Sequence, residues 1–516
     1  MRRQMVAALL ALGLTQQLEA LPPEPPAQIE LFLSGSTAQD EALENLVRLS
    51  AGLAGAPNLC EPQSLDVYRG MIGGVAKRVY YCRTSGNVPG VPPGMRLAIH
   101  KSSGGSGEGV TPVSASTAIS YLDLGKLPVA GTCRTAIPVR GSAEFSGYTN
   151  HVGCDGAGKL AVPRAGLADV NPELVGGVTA ALTVHALTQI VWGLPVSKNF
   201  RNALQAIQGL VRNTIPHDDP SRDTEEAMPS LSRAQVAAVF AGTISSWDQF
   251  FDSQGTPLTR SSFLAPGPPR DPDAAGASPG AYLPDRVTGS VVYVCRRINS
   301  SGTQAAYETH YLRSRCVDGV PPFVSANDGS DGVTGGDPRK LVRIAHPRGR
   351  VFAGVGTGDV RDCLDAHNHF NRWAVGLLST ESVGNNGDRE FRYVRVDGAA
   401  PTLLNAAFGR WSHVTEQSIE WRHSFNPSLA TTNEGRVLAF VAAHMGLPRV
   451  IAALNTGFVH PWGQGGYLIP PSSGFPPPKP PVTAESLLTN PVGSVSLSTG
   501  RLNNCAEPLL VGPAQE

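Results

Sequence analysis

Apolar residues along this chain recur in two rhythms. The runs Ile29–Leu33, Arg78–Cys82, Met95–His100, Val291–Val294 and Val351–Val355 read as strands, and Phe391–Val396 alternates into an Asp397-Gly398 turn. Segments with helical spacing lie between them. Ala38–Leu53 carries Leu43, Leu46 and Val47 on one stripe, and Asn199–Val211, Gln304–Leu312 and Glu434–Met445 read as further helices. Ser232 and Gln235 have capping-box spacing ahead of Val236, Val239 and Phe240; Thr37 and Asp40 have it with Asp in place of Glu. Trp373–Leu378 reads as one more strand, Pro401 opens another helix, and Val178–Leu194 fits either type. Strands alternating with helices predict an α/β fold.

Small polar residues gather where strands give way to helices. The stretch from Cys295 to Thr303 leaves a strand, turns through Ser300-Ser301-Gly302-Thr303 and enters a helix. Such a turn points unpaired N–H groups and hydroxyls at one spot, where the helix dipole is positive and an anion is favoured. Arg297 adds a planar fork of donors. Taken alone, the same residues also make an ordinary helix cap. Ser34-Gly35-Ser36-Thr37 repeats the pattern, with Asp40 and Glu41 behind it, which would oppose an anion unless they point away. Lys101 to Val110 is a glycine-serine loop. It lacks the Gly-Lys-Ser/Thr of a P-loop, and Glu108 breaks the nucleophile-elbow pattern, so by itself it reads as a flexible linker.

The chain has 516 residues, enough for two or more domains with full cores. Its 42 basic and 42 acidic residues balance, so neither a nucleic acid nor a membrane surface is an expected partner. The 57 glycines and 43 prolines indicate a loop-rich globular protein, with Pro470–Pro481 as an exposed arm. Arg2 and Arg3, the apolar run Met5–Leu14 and the small Ala20 follow the order of a secretory signal over residues 1–20, and the run is too short to span a bilayer. A periplasmic or secreted protein is expected. Eight cysteines without a CxxC pair fit an oxidising compartment. Their spacing predicts the pairs Cys60–Cys82, Cys133–Cys154 and Cys295–Cys316, with Cys363 joined to Cys505.

Five segments, in order, resemble the periplasmic phosphate-binding (PstS-like) proteins of ABC transporters. They are Gly35-Ser36-Thr37-Ala38, Ser106 to Val110, Gly166-Leu167-Ala168-Asp169, Val239 to Trp247, and Arg297 to Thr303. Ala374-Val375-Gly376 and the stretch from Asp397-Gly398 to Pro401-Thr402 follow in family order. The resemblance implies the two-lobed type II periplasmic-binding-protein fold, each lobe a mixed sheet flanked by helices, with a ligand cleft between lobes. Lobe 1 is expected over 28–195 and 370–510 with an insertion at 111–160, and lobe 2 over 196–369 with an insertion at 253–287. Thr37, the Ala38 N–H, Ser106, Asp169, Arg297, Ser301, the Gly302 N–H and Thr303 are implied to line an oxyanion site. Asp169 would discriminate, because it can accept the proton that monohydrogen phosphate carries and sulfate lacks. The implied role is capture of phosphate or a related tetrahedral oxyanion, for uptake through an ABC permease. A monomer is expected, with no catalytic residue, metal or cofactor. The chain departs from the family at Ala38, where an aromatic is usual, at Asn299, where an Asp would temper Arg297, and at Glu108.

Two other readings compete. An exported hydrolase would need a base beside a serine, and no His lies in the serine-rich motifs. An extracellular interaction or adhesion protein would keep the fold with a blocked or repurposed cleft, which the extra length and proline arm favour. Asn327 to Gly332 has calcium-loop oxygens without the closing Glu, and His367 and His369 form a weak metal pair, expected to be exposed. Trp247, Trp373 and Trp411 are expected in the core.

Overall fold

The computed structural model describes residues 26–50, 57–127, 133–143, 145–155, 158–176, 179–212, 215–264, 290–326, 351–382, 389–425, 431–496, 504–506 and 509–510. The expected secretory signal, the calcium-like loop and most of the 253–287 excursion lie outside them.

The fold is mixed α/β, with one large sheet flanked by helices. At its centre run parallel strands. Ile29–Gly35 pairs with Arg96–Ser103 and with Ala165–Ala168; elsewhere in the sheet Tyr293–Arg297 pairs with Val351–Gly354 and Ala374–Gly376. Parallel strands covered on both faces need continuous apolar runs, and Leu31, Leu33, Leu97, Ile99, Val294 and Val351 are all buried. The 16-residue strand Leu182–Ser197 joins the two sets. Its first part pairs antiparallel with Val414–Arg422, from Leu182 opposite Arg422 to Val191 opposite Val414. Its last part pairs with Phe391–Val396 and meets Val375. This is the apolar run whose type the sequence leaves open.

The loops that leave the C-terminal ends of parallel strands are where open α/β sheets bind ligands. Here those loops hold Ser36, Gly104-Gly105, Asp169, Ile298 to Ser301, and Val355-Gly356. The glycine-serine stretch is not a flexible linker. The strand continues to Ser103, and Ser106–Ala115 is a helix. Gly105 enters it at φ 90°, a conformation suited to glycine. Gly109 lets the helix lie against the sheet, since a Cβ there would fall 2.4 Å from the Leu167 carbonyl oxygen.

Trp247, Trp373 and Trp411 are core residues, as expected. Trp247 and Trp373 flank Phe200, at ring-centroid distances of 4.2 and 5.1 Å, so the Val239–Trp247 motif serves packing. The Ser232 capping box forms. Cys60–Cys82 and Cys133–Cys154 form as predicted, but the other two pairs exchange partners: Cys295 bonds Cys363 and Cys316 bonds Cys505. The helix Thr357–His369 packs on the strand Tyr293–Arg297, which brings Cys363 to Cys295 although 68 residues separate them. His367 is buried rather than exposed, with its ring 4.5 Å from that of Tyr293. It sits beside Cys295 and Cys363, whose sulfurs are joined to each other and offer no thiolate to a metal.

Candidate oxyanion site

Asp169 is the centre of the site. It ends the strand Ala165–Ala168 and is 2% exposed. Its Oδ1 accepts a hydrogen bond from the Ser36 hydroxyl and another from Gln417 Nε2 at 2.9 Å. Its N–H donates to Ser106 Oγ at 2.9 Å, and its carbonyl accepts from the Thr415 hydroxyl at 2.7 Å. Burial pushes the Asp169 carboxyl above its ordinary value, while the bonds from Ser36 and Gln417 and the charges of Arg297 and Lys101 pull the other way.

Arg297 arrives from the end of the strand Tyr293–Arg297 and is 1% exposed. Nη2 donates to the Val355 carbonyl at 2.5 Å, and Nη1 lies 3.4 Å from both the Thr303 and Thr357 hydroxyls. Every one of these acceptors is neutral. Nε is buried with no partner, and Arg297 makes no ion pair among the described residues. Burial lowers its pKa to about 10, against the pull of Asp169 and Asp359. A buried guanidinium with no direct ion pair is costly even with Asp169 and Asp359 nearby, and an anion placed beside it recovers part of that cost.

Gly302 closes the cluster. It begins the helix Gly302–Tyr307, and a Cβ on it would lie 2.1 Å from Ser106 Oγ and 3.0 Å from Asp169 Cβ. The Gly107 N–H donates to the Ser300 carbonyl at 2.9 Å, so the two serine-glycine loops bond directly to each other. Ser106, Asp169, Arg297, Gly302 and Thr303 therefore meet. Ser301 is buried at the helix N-cap. Ala38 donates its N–H to Ser36 Oγ at 3.1 Å and accepts at its carbonyl from the Tyr467 hydroxyl. Thr37 is only half-buried, and the hydroxyl bonded to Asp169 is that of Ser36.

The expected departures have structural outcomes. Glu108 turns from Arg297 toward Lys77, 3.6 Å away, and accepts from the Ser102 hydroxyl at 2.8 Å. Asn299 bonds the Arg296 guanidinium. Asp40 is held by Lys101 at 3.2 Å and Arg78 at 3.3 Å.

Sequence reasoning passed over several contributors. Lys101 is fully buried beneath the first loop and donates to the Gly35 and Ser36 carbonyls at 3.0 and 3.1 Å. Val355 and Thr357 hold the Arg297 fork, and Asp359 accepts from the Val355 and Gly356 N–H groups at 2.8 and 2.9 Å. Gly356-Thr357-Gly358-Asp359 follows a strand and opens a helix, which is the signature already read at Ser300 to Thr303. Gln417 carried no signal, since it comes from an apolar-to-polar stretch in a distant strand. A second acid, Glu381, accepts from the Ser379 hydroxyl at 3.0 Å and bonds Tyr467, and burial pushes it up to about 8.

No family model and no curated protein matches the chain. Among solved structures, it is similar to a protein from Clostridium perfringens described as a phosphate ABC transporter substrate-binding protein with bound phosphate. The TM-score is 0.38 at 11% identity, over 82% of this chain and 97% of that one. It is also similar to an ABC-type phosphate transport receptor from Vibrio cholerae, with TM-score 0.28 and 15% identity over 58% of this chain and 80% of that one. For PstS from Borrelia burgdorferi the values are 0.26 and 10%, over 57% and 78%.

Proposed function

We propose that this chain is an exported solute-binding protein that takes up a tetrahedral oxyanion, phosphate first among them, at the junction of the two serine-glycine loops. The observation that carries the reading is Arg297: a fully buried guanidinium with an unpartnered Nε and only neutral acceptors, set among hydroxyls and a helix start. Asp169 supplies selectivity. As a carboxylate it accepts the proton of monohydrogen phosphate and repels fully ionised sulfate; the bonds from Ser36 and Gln417 and the charges of Arg297 and Lys101 favour that ionised form against the opposing effect of burial. The make-up of the cluster, hydroxyl and N–H donors with a buried guanidinium and one carboxylate, supports binding rather than catalysis. Delivery to an ABC permease and a monomeric state complete the reading, and four disulfides agree with a periplasmic or secreted protein.

Calorimetric titration of the oxidised protein with phosphate, and with sulfate as control, is the test. Saturable phosphate binding is expected, lost in Arg297→Ala and relaxed toward sulfate in Asp169→Asn. Absence of binding for both anions would turn the reading to the second one, an interaction protein with a blocked cleft. One observation favours that alternative: Ser36, Ser106 and Gly302 already fill the space around Asp169 with protein contacts.

A further inference from the structure

A cavity opens where the helix Gly302–Tyr307 ends, away from the Asp169 cluster. The chain continues as a π turn, Glu308–Leu312, which sets His310 and Tyr311 against Arg233 and His413. Two adjoining hollows of about 50 and about 30 Å³ share Arg233, His310 and Ser412 as walls. A water needs roughly 10–15 Å³ by this measure, so together they hold several waters or one small molecule.

The walls are built for a ligand with acceptor atoms. The Tyr311 hydroxyl, the Thr309 hydroxyl and Asn504 Nδ2 are buried without a hydrogen-bond partner. Their residues are 6%, 6% and 7% exposed. The Asn504 side-chain oxygen accepts from the Glu416 N–H at 3.3 Å, so its amide nitrogen is the free end. The neighbouring Cys316–Cys505 disulfide tethers this segment beside the cavity. Positive charge lines both hollows, with Arg233 on the two of them, Arg410 on one and Arg313 on the other. Arg233 donates from Nη2 to the His310 carbonyl and makes no ion pair among the described residues. Asp397, the carboxylate on these walls, is turned to the Arg233 backbone N–H at 2.9 Å. His310 and His413 stack at 4.3 Å, and burial holds both well below the ordinary histidine pKa, so they form a flat neutral wall.

We propose that this cavity is a second binding site, for a small organic carboxylate. The carboxylate group lies against Arg233 on the wall that the two hollows share, with Thr309 and Asn504 donating from one hollow and Tyr311 from the other, and the stacked imidazoles cover its carbon atoms. A compact inorganic dianion would satisfy the donors but leave the aromatic wall bare.

Calorimetric titration of the whole oxidised chain with acetate, propionate and lactate at fixed pH tests the proposal. Saturable binding of at least one is expected, weakened about tenfold or more in Arg233→Gln, as loss of a charge-assisted hydrogen bond implies. Tyr311→Phe deletes one hydroxyl and little else; it should weaken binding several-fold even if Arg233→Gln does not fold. Arg297→Ala should leave carboxylate binding intact. The proposal is overturned if none of the three acids binds, which makes water the occupant. It is also overturned if binding survives both cavity variants unchanged, or if it disappears with Arg297.

Discussion

Gly302 has room for a hydrogen and nothing more. A methyl group there would meet Ser106 Oγ at 2.1 Å, a contact that only movement of the Ser106 or Ser300 loop relieves. Gly302→Ala is expected to cost roughly 1–3 kcal/mol in urea unfolding, the usual range for overpacking, and to weaken phosphate binding in the same preparation. An unchanged urea midpoint would mean that the loops are not held together as described. Glu420 yields a pH prediction. It is fully buried, and burial pushes its carboxyl from the ordinary 4.5 up to about 8, with Asp169 adding to the rise. The folded state thus keeps a proton that the unfolded chain releases. This contribution to stability is complete below about pH 4.5 and is lost as pH rises through about 8. Glu420→Gln keeps the neutral shape, so it should match the native protein near pH 4.5 and exceed it at pH 8 by up to about 5 kcal/mol. Parallel urea stabilities of the two proteins across that range would sink the argument. At this scale Arg297, Ser106 and Asp169 were legible as candidates, because each sits in a short motif. Ser36 was not distinguished from Thr37, because neighbouring hydroxyls in a loop differ only by the direction each side chain takes.

Elements carry these residues to one place, and their junctions set the tolerance. The Cys295–Cys363 disulfide ties the Arg297 strand to the helix whose first turn supplies Thr357 and Asp359. Replacing both cysteines with serine should cost about 2–5 kcal/mol and should weaken phosphate binding, since the Arg297 fork loses a fixed partner; a urea titration and a calorimetric titration of one preparation check both. The Ser232 capping box is a simpler case. Ser232→Ala leaves the Gln235 N–H without its acceptor and should cost about 1 kcal/mol in the same unfolding assay. Strand–loop–helix units were readable because apolar runs, small polar turns and helical stripes follow one another locally. The glycine-serine loop misled. Its glycines look like flexibility in sequence, but Gly109 is required for close approach of a helix to Leu167.

For the whole molecule, the strand Leu182–Ser197 decides the layout, because it hydrogen-bonds to both parts of the sheet. A ligand held among Ser106, Asp169, Arg297 and Gly302 would stabilise the folded chain by about 2.7 kcal/mol at a hundredfold excess over its Kd. Phosphate should therefore raise the Tm of the native protein and leave that of Arg297→Ala unchanged. Sulfate should raise neither. A Tm insensitive to phosphate would remove the oxyanion reading while leaving the architecture as described.

The sequence by itself determined the α/β class, most helices and strands, the tryptophan core and two of four disulfides. Each of these follows from local periodicity or from close spacing, which a chain carries without knowing its fold. Only the tertiary structure decided the rest. It paired Cys295 with Cys363 and Cys316 with Cys505, buried His367 and Lys101, turned Glu108 away, and brought Gln417 and Thr357 to the site. Those outcomes depend on which strands become neighbours, and contacts between residues far apart in sequence leave no local periodicity from which to read them.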